Sequence, residues 1–64
     1  MRYTEFWRRM EAVLGPQYAA SWAADHHIEE LGDRTVLVAL EQGDSAQSVW
    51  RAVVRTIDVP PALH

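Results

Sequence analysis

The chain has 64 residues, no cysteine and a formal net charge of −3. The lack of cysteine excludes a disulfide framework, a cysteine-containing zinc site and a thiol nucleophile, and the negative charge argues against a simply polyanionic partner. A domain of about 60 residues buries only about 60% of its unfolded surface, so aromatic burial or self-association has to supply its stability.

The first predicted helix covers residues 4–14. Its apolar residues form one broad stripe at helical spacing: Phe6, Trp7, Met10, Val13 and Leu14. Thr4 is a suitable N-cap, and the carboxylate of Glu5 suits the first turn. Gly15 and Pro16 end this helix, and Pro16 begins the next one.

The second predicted helix covers residues 16–31 and ends at Gly32. Its apolar residues fall on two faces, Ala20, Ala24, Ile28 and Leu31 on one and Tyr18, Ala19 and Trp22 on the other, beside Asp25 and Glu29. Two interpretations follow. Either the helix is central and Trp22 belongs to the core, or the Trp22 face is partly exposed and contacts a partner.

The segment 35–42 contains TVLVAL, whose β-branched residues would also suit a buried strand. The sequence offers no second strand to pair with it, so we expect a short helix, capped by Asp33 or Thr35 and ended by Gly43. A last helix over residues 45–58 has Ser45 as its N-cap. Its inner face contains Val49, Trp50, Val53, Val54 and Ile57. Residues 59–64 form the C-terminal tail, of which we expect residues 62–64 to fray.

These elements predict an all-α fold, a compact single domain over residues 1–64 with three main helices and one short helix. The first fifteen residues carry scattered charges and lack the apolar run of a signal peptide, and no later segment is apolar enough to span a membrane. We therefore expect a complete cytoplasmic chain. Monomer and homodimer remain alternatives.

The histidines invite a metal-site interpretation, because His26 and His27 lie beside Asp25, Glu29 and Glu30. On a helix His26 and Glu30 would share a face, but a catalytic zinc site takes three protein ligands. The sequence also lacks a nucleophile elbow and a glycine-rich phosphate loop. We expect neither a metal, nor another cofactor, nor catalysis.

The second half of the chain is compatible with a helix-turn-helix. Ala39, Gly43 and Val49 have the small, turn and apolar spacing of this motif. The alternative function is therefore DNA binding through residues 45–55, with the candidate contacts Ser45, Gln47, Arg51 and Arg55. Glu41 and Asp44 oppose it, because their carboxylates would face the phosphates.

The motifs TEFWRRM, SWAADH, LGDRTV and VWRAV occur in this order. With them the chain resembles a small actinobacterial family of uncharacterised proteins, a domain of unknown function. The resemblance implies a DNA-repair context, because genes of this family often lie near those for the recombinase RecA and its regulator RecX. Val38 departs from the acidic residue expected after RTV, which removes a capping partner for Thr35.

The favoured function is a non-catalytic interaction module that binds a protein partner. Aromatic residues and arginine dominate binding hot spots. The predicted contact surface therefore combines Tyr18, Trp22, Asp25 and His26 from the second helix with Arg34 from the following loop. This interpretation expects Trp22 to be only partly buried.

Overall fold

Four helices contain most of the chain. A computed structural model describes residues 1–64. The helices are α1 (Tyr3–Leu14), α2 (Ala19–Asp25), α3 (Val36–Glu41) and α4 (Ala46–Thr56). Two short strands, β1 (His27–Ile28) and β2 (Arg34–Thr35), pair antiparallel, and 3₁₀ turns cover Glu29–Leu31 and Pro61–Leu63. The predicted helical class is confirmed, and the strand pair is an addition to it. No helix is both long and apolar enough to cross a membrane.

Helix α1 follows the predicted stripe. Phe6 and Met10 are buried, and the other apolar residues of the stripe pack half-buried against the core. The expected N-cap is wrong, because Thr4 lies inside the helix and Arg2 occupies the cap position without a side-chain hydrogen bond. Gly15 ends the helix at φ 93°, a conformation that L side chains rarely adopt, and its N–H donates to the Glu11 carbonyl.

Helix α2 is much shorter than the predicted helix over residues 16–31. The backbone leaves the helical region at His26, and His27 and Ile28 then pair with Thr35 and Arg34. The expectation that no second strand exists is therefore wrong. Two successive residues with positive φ, Gly32 at 68° and Asp33 at 63°, reverse the chain between the strands. Glycine and aspartate tolerate this conformation better than most residues do.

The predicted division of α2 into two faces was partly wrong. Ala20 and Ala24 are exposed, whereas Ala19, Trp22 and Ala23 are buried. Ile28 and Leu31 do reach the core, but through the strand and the 3₁₀ turn. Their helical spacing from the alanines therefore did not reflect a shared helix.

Helices α3 and α4 begin with the side-chain caps that the sequence predicts. Thr35 Oγ1 accepts a hydrogen bond from the Val38 N–H at 3.2 Å, so Thr35 rather than Asp33 caps α3. Ser45 Oγ accepts from the Ser48 N–H at 3.1 Å at the start of α4. Each hydroxyl satisfies a backbone donor that has no intrahelical partner. Helix α4 ends at Thr56, slightly before the predicted residue 58.

One core joins the helices. Its buried apolar residues are Phe6, Met10, Ala19, Trp22, Ala23, Ile28, Leu31, Val36, Ala39, Ala46, Val49, Trp50, Ala52, Val53 and Val59. The Phe6 ring meets the Trp7 ring and the Trp50 ring edge-on, with centroids 5.3 Å and 6.0 Å apart. Edge-to-face packing of this kind adds to the stabilisation that burial itself provides.

The C-terminal tail packs against this core, so the expectation that residues 62–64 fray is wrong. Val59 is buried, and Trp50 Nε1 donates to the His64 carbonyl oxygen at 3.2 Å. Arg9 donates to the same oxygen at 3.2 Å, and His64 Nε2 donates to the Val59 carbonyl at 2.8 Å. The tail therefore satisfies the indole N–H of the buried Trp50 side chain.

Candidate functional site

A small surface cavity lies along α2 and the residues next to its two ends. Its lining residues are Tyr18, Ser21, Trp22, Asp25 and His26, and its volume is about 150 Å³. Residues three, four and seven apart share a face of a helix, so the spacing of Tyr18, Trp22 and Asp25 brings them together. Four of the residues predicted for partner binding therefore lie around one concavity.

Trp22 forms part of the core as well as part of the cavity. Only 7% of its surface is exposed, so the interpretation of Trp22 as a core residue is confirmed and that of a partly exposed ring is wrong. The exposed His26 ring stacks on it, with centroids 4.8 Å apart and an angle of 12° between the planes. Trp22 thus fixes the position of His26 and offers little surface of its own to a partner.

Tyr18 and Asp25 provide the accessible chemistry of the cavity. Tyr18 is 57% exposed, and Asp25 is exposed at the last position of α2. Neither side chain makes a hydrogen bond or a salt bridge within the chain, and the same holds for the Ser21 hydroxyl. A carboxylate at a helix C-terminus is disfavoured by the helix dipole. Asp25 therefore stabilises the fold neither through a hydrogen bond or salt bridge nor through the helix dipole.

Arg34 does not join this cavity, contrary to its predicted place in the contact surface. Its Nε donates to the Leu31 carbonyl at 2.6 Å, its Nη1 donates to Gln42 at 2.8 Å, and its Nη2 donates to Asp44 at 2.7 Å. The guanidinium thus ties the 3₁₀ turn before β2 to the connection between α3 and α4. Such a fork of charge-assisted bonds makes Arg34 a structural residue.

Ser21 is the cavity residue that the sequence analysis did not single out. It precedes Trp22 and lies four positions before Asp25, so helical spacing alone was sufficient to include it. Its hydroxyl adds a donor and an acceptor beside the carboxylate of Asp25.

The residues of the DNA-binding alternative have different surroundings from one another. Ser45 caps α4, and Arg55 forms an exposed salt bridge with Glu30 at 3.3 Å. Gln47 and Arg51 line a second cavity of about 400 Å³, and Arg51 makes no salt bridge. Two of the four side chains are thus already engaged within the protein.

The histidines and acidic residues do not converge on a common point. No group of three or more of these side chains is placed to hold a metal ion. The predicted shared face of His26 and Glu30 required a helix through residue 31, and α2 ends at Asp25. That step of the sequence analysis was wrong because the β pair replaces the last turns of the helix.

The family comparison covers nearly the entire chain. A family model described as "Protein of unknown function (DUF3046)" matches residues 1–62. The chain belongs to this family. The resemblance to a domain of unknown function is therefore confirmed, and the description of the DUF3046 family assigns no activity to its members. Neither the search of curated proteins nor the search of solved structures found a match.

Proposed function

We propose that this DUF3046 protein is a non-catalytic interaction module that contacts a protein partner through the α2 cavity. The observation that carries the proposal is the exposed Tyr18 beside the unpaired Asp25, around a concavity supported by the buried Trp22. Tyrosine offers a large contact area at a low cost in conformational entropy, which favours its use in interfaces.

The size of the cavity favours a protein partner over a metabolite. Small-molecule sites usually enclose about 300 Å³ or more, whereas this cavity has about 150 Å³. A standard interface buries about 800 Å² on each partner, about a fifth of the 4167 Å² that this chain exposes. The cavity would therefore form the centre of a wider contact, where hot spots concentrate.

Affinity capture from the native cell tests this proposal, and the chain offers a matched control. Tyr3 is 55% exposed on α1, close to the 57% of Tyr18, and it lies outside the cavity. Tyr18→Ala should lose the partner that the wild-type protein captures, and Tyr3→Ala should retain it. Retention by both variants, or loss by both, would contradict a binding role for the α2 cavity.

DNA binding through α4 is the second candidate function. Two observations favour it: Arg51 is exposed without a salt bridge, and Arg34 pairs with Asp44, which offsets one of the two opposing carboxylates. The helices α3 and α4 and the connection over residues 42–45 would act as the helix-turn-helix. A low-salt gel-shift assay on duplex DNA tests it. Arg51→Ala and Arg55→Ala should each weaken a real complex, and no shift with wild-type protein would remove this candidate.

The cellular setting is proposed to be the cytoplasm, in a DNA-repair or recombination process. The identity of the captured partner tests the process, since a recombination protein among specifically captured partners would support it. Fractionation of native cells tests the compartment. A partner from an unrelated process would contradict the DNA-repair setting while leaving the α2 contact itself intact.

A further inference from the structure

The α2 cavity differs in charge from the other two cavities of the surface. The second cavity contains Glu5 together with two arginines, and the third contains Arg2 without any carboxylate. Only the α2 cavity contains a carboxylate, that of Asp25, without an arginine. It therefore offers a carboxylate that forms no salt bridge within the protein.

The segment of the sequence that contains these cavity residues is acidic as well. Between residues 10 and 33 there is no lysine or arginine, and the acidic residues are Glu11, Asp25, Glu29, Glu30 and Asp33. Of these, only Glu30 forms a salt bridge, with Arg55. Summed charges of one sign raise the rate at which a partner of opposite charge docks, and they disfavour partners of the same sign.

We infer that the α2 cavity receives an arginine side chain from a basic segment of the partner, an inference that rests on the proposed function. The guanidinium would donate a pair of hydrogen bonds to the Asp25 carboxylate, and the ring of Tyr18 would contact its face. A cavity of about 150 Å³ can hold a group the size of benzene, and a guanidinium with its adjoining methylene groups is of that class.

Other occupants fit these groups less well. An anionic group would be repelled by Asp25, and an apolar side chain would desolvate this carboxylate without giving it a hydrogen bond. Lysine would satisfy the charge but lacks the planar fork that matches a carboxylate and stacks on an aromatic ring. Arginine is the side chain that uses both Asp25 and Tyr18.

Nuclear magnetic resonance of the full chain tests the inference with N-acetyl-arginine amide as the probe. The probe should shift the Trp22 indole N–H resonance and the backbone resonances of Tyr18 and Asp25, with a dissociation constant on the order of 1 mM or weaker. N-acetyl-citrulline amide, which is nearly isosteric but uncharged, should bind at least about tenfold more weakly, because charged hydrogen bonds are the stronger ones.

Asp25→Asn should weaken arginine binding by about tenfold. Glu29→Gln, which removes an exposed unpaired carboxylate outside the cavity lining, should leave it unchanged. Both variants should retain the wild-type helical circular dichroism spectrum. The arginine assignment would be overturned by any one of three results. These are equal affinity for the citrulline and arginine amides, higher affinity for the corresponding lysine amide, and equal effects of Asp25→Asn and Glu29→Gln.

The cellular partner separates this inference from the proposed function. A partner whose capture requires Tyr18 and is also lost in Asp25→Asn would support both. Capture that requires Tyr18 but survives Asp25→Asn would overturn the arginine assignment and leave the interaction surface standing. Capture that is independent of both residues would overturn the proposed function itself.

Discussion

Replacement of Trp22 by alanine should cost most of the stability of this protein. The side chain is 7% exposed and belongs to the core, so its truncation leaves a cavity where the ring packed. Tryptophan-to-alanine changes in cores cost about 3–5 kcal/mol. At about 0.05–0.15 kcal/mol per residue, a chain of 64 residues has a total stability of about 3–10 kcal/mol. Trp22→Ala is therefore expected to be largely unfolded or only marginally folded.

Urea unfolding followed by far-ultraviolet circular dichroism is the suitable assay, because it reports on the helices independently of the three tryptophans. For so small a domain the free energy of unfolding falls by about 1 kcal/mol per molar urea. The expected loss of stability therefore lowers the unfolding midpoint by about 3 M or more. Tyr18→Ala is the control on the same cavity. Since Tyr18 is 57% exposed, this variant should stay within about 0.5 kcal/mol of wild type.

A Trp22→Ala protein that unfolds within about 1 kcal/mol of wild type would refute this reasoning. Trp22 would then have to lie at the surface, as the contact-surface interpretation of the sequence expected. Because Trp22→Ala removes the fold together with the cavity, Tyr18 and Asp25 are the positions at which binding can be perturbed alone.

Substitutions at three further positions test the contacts that hold the connections between the helices. Arg34→Lys loses the fork to Asp44 and should lower the free energy of unfolding by about 1–2 kcal/mol in urea titrations, whereas an unchanged midpoint would contradict the role of that pair. Thr35→Val removes the cap of α3 and should cost about 1 kcal/mol, and Thr35→Ser should restore most of it in thermal unfolding. Arg55→Ala should cost less than about 0.5 kcal/mol by urea titration, because its partner Glu30 is also exposed; a loss above about 1 kcal/mol would contradict this.

The helices that could be predicted from the sequence are those with one apolar stripe and recognisable ends. In α4, Ser45 marks the start, and Val49, Trp50 and Val53 lie on a single buried face. In α1, Gly15 and Pro16 mark the end. Helical periodicity and local capping agree in both elements, so neither depends on distant parts of the chain.

The predicted second helix failed because its second half is shaped by tertiary contacts. His27 and Ile28 pair with residues that lie beyond the turn at Gly32 and Asp33, and such short pairings leave no periodic signal. The spacing of Ile28 and Leu31 matched a helix by coincidence. A glycine followed by an aspartate was the available sign of a chain reversal, because both residues tolerate positive φ.

Part of the candidate site could be predicted from helical spacing alone. Tyr18, Trp22, Asp25 and His26 lie within or next to a helix that does form, so their spacing placed them correctly. The burial of Trp22 could not be predicted, because it depends on which other elements pack against α2. The position of Arg34 could not be predicted either, because its partners Gln42 and Asp44 approach it only in the folded connection between α3 and α4.

Photo-crosslinking from position 18 in the native cell is the most direct test of the claim that the α2 cavity is an interaction surface. Benzoylphenylalanine replaces Tyr18 in one variant and Tyr3 in the other, two tyrosines of nearly equal exposure. We predict a discrete covalent adduct with a partner protein from position 18 and none from position 3. No adduct from position 18, or the same adduct from both positions, would contradict the account.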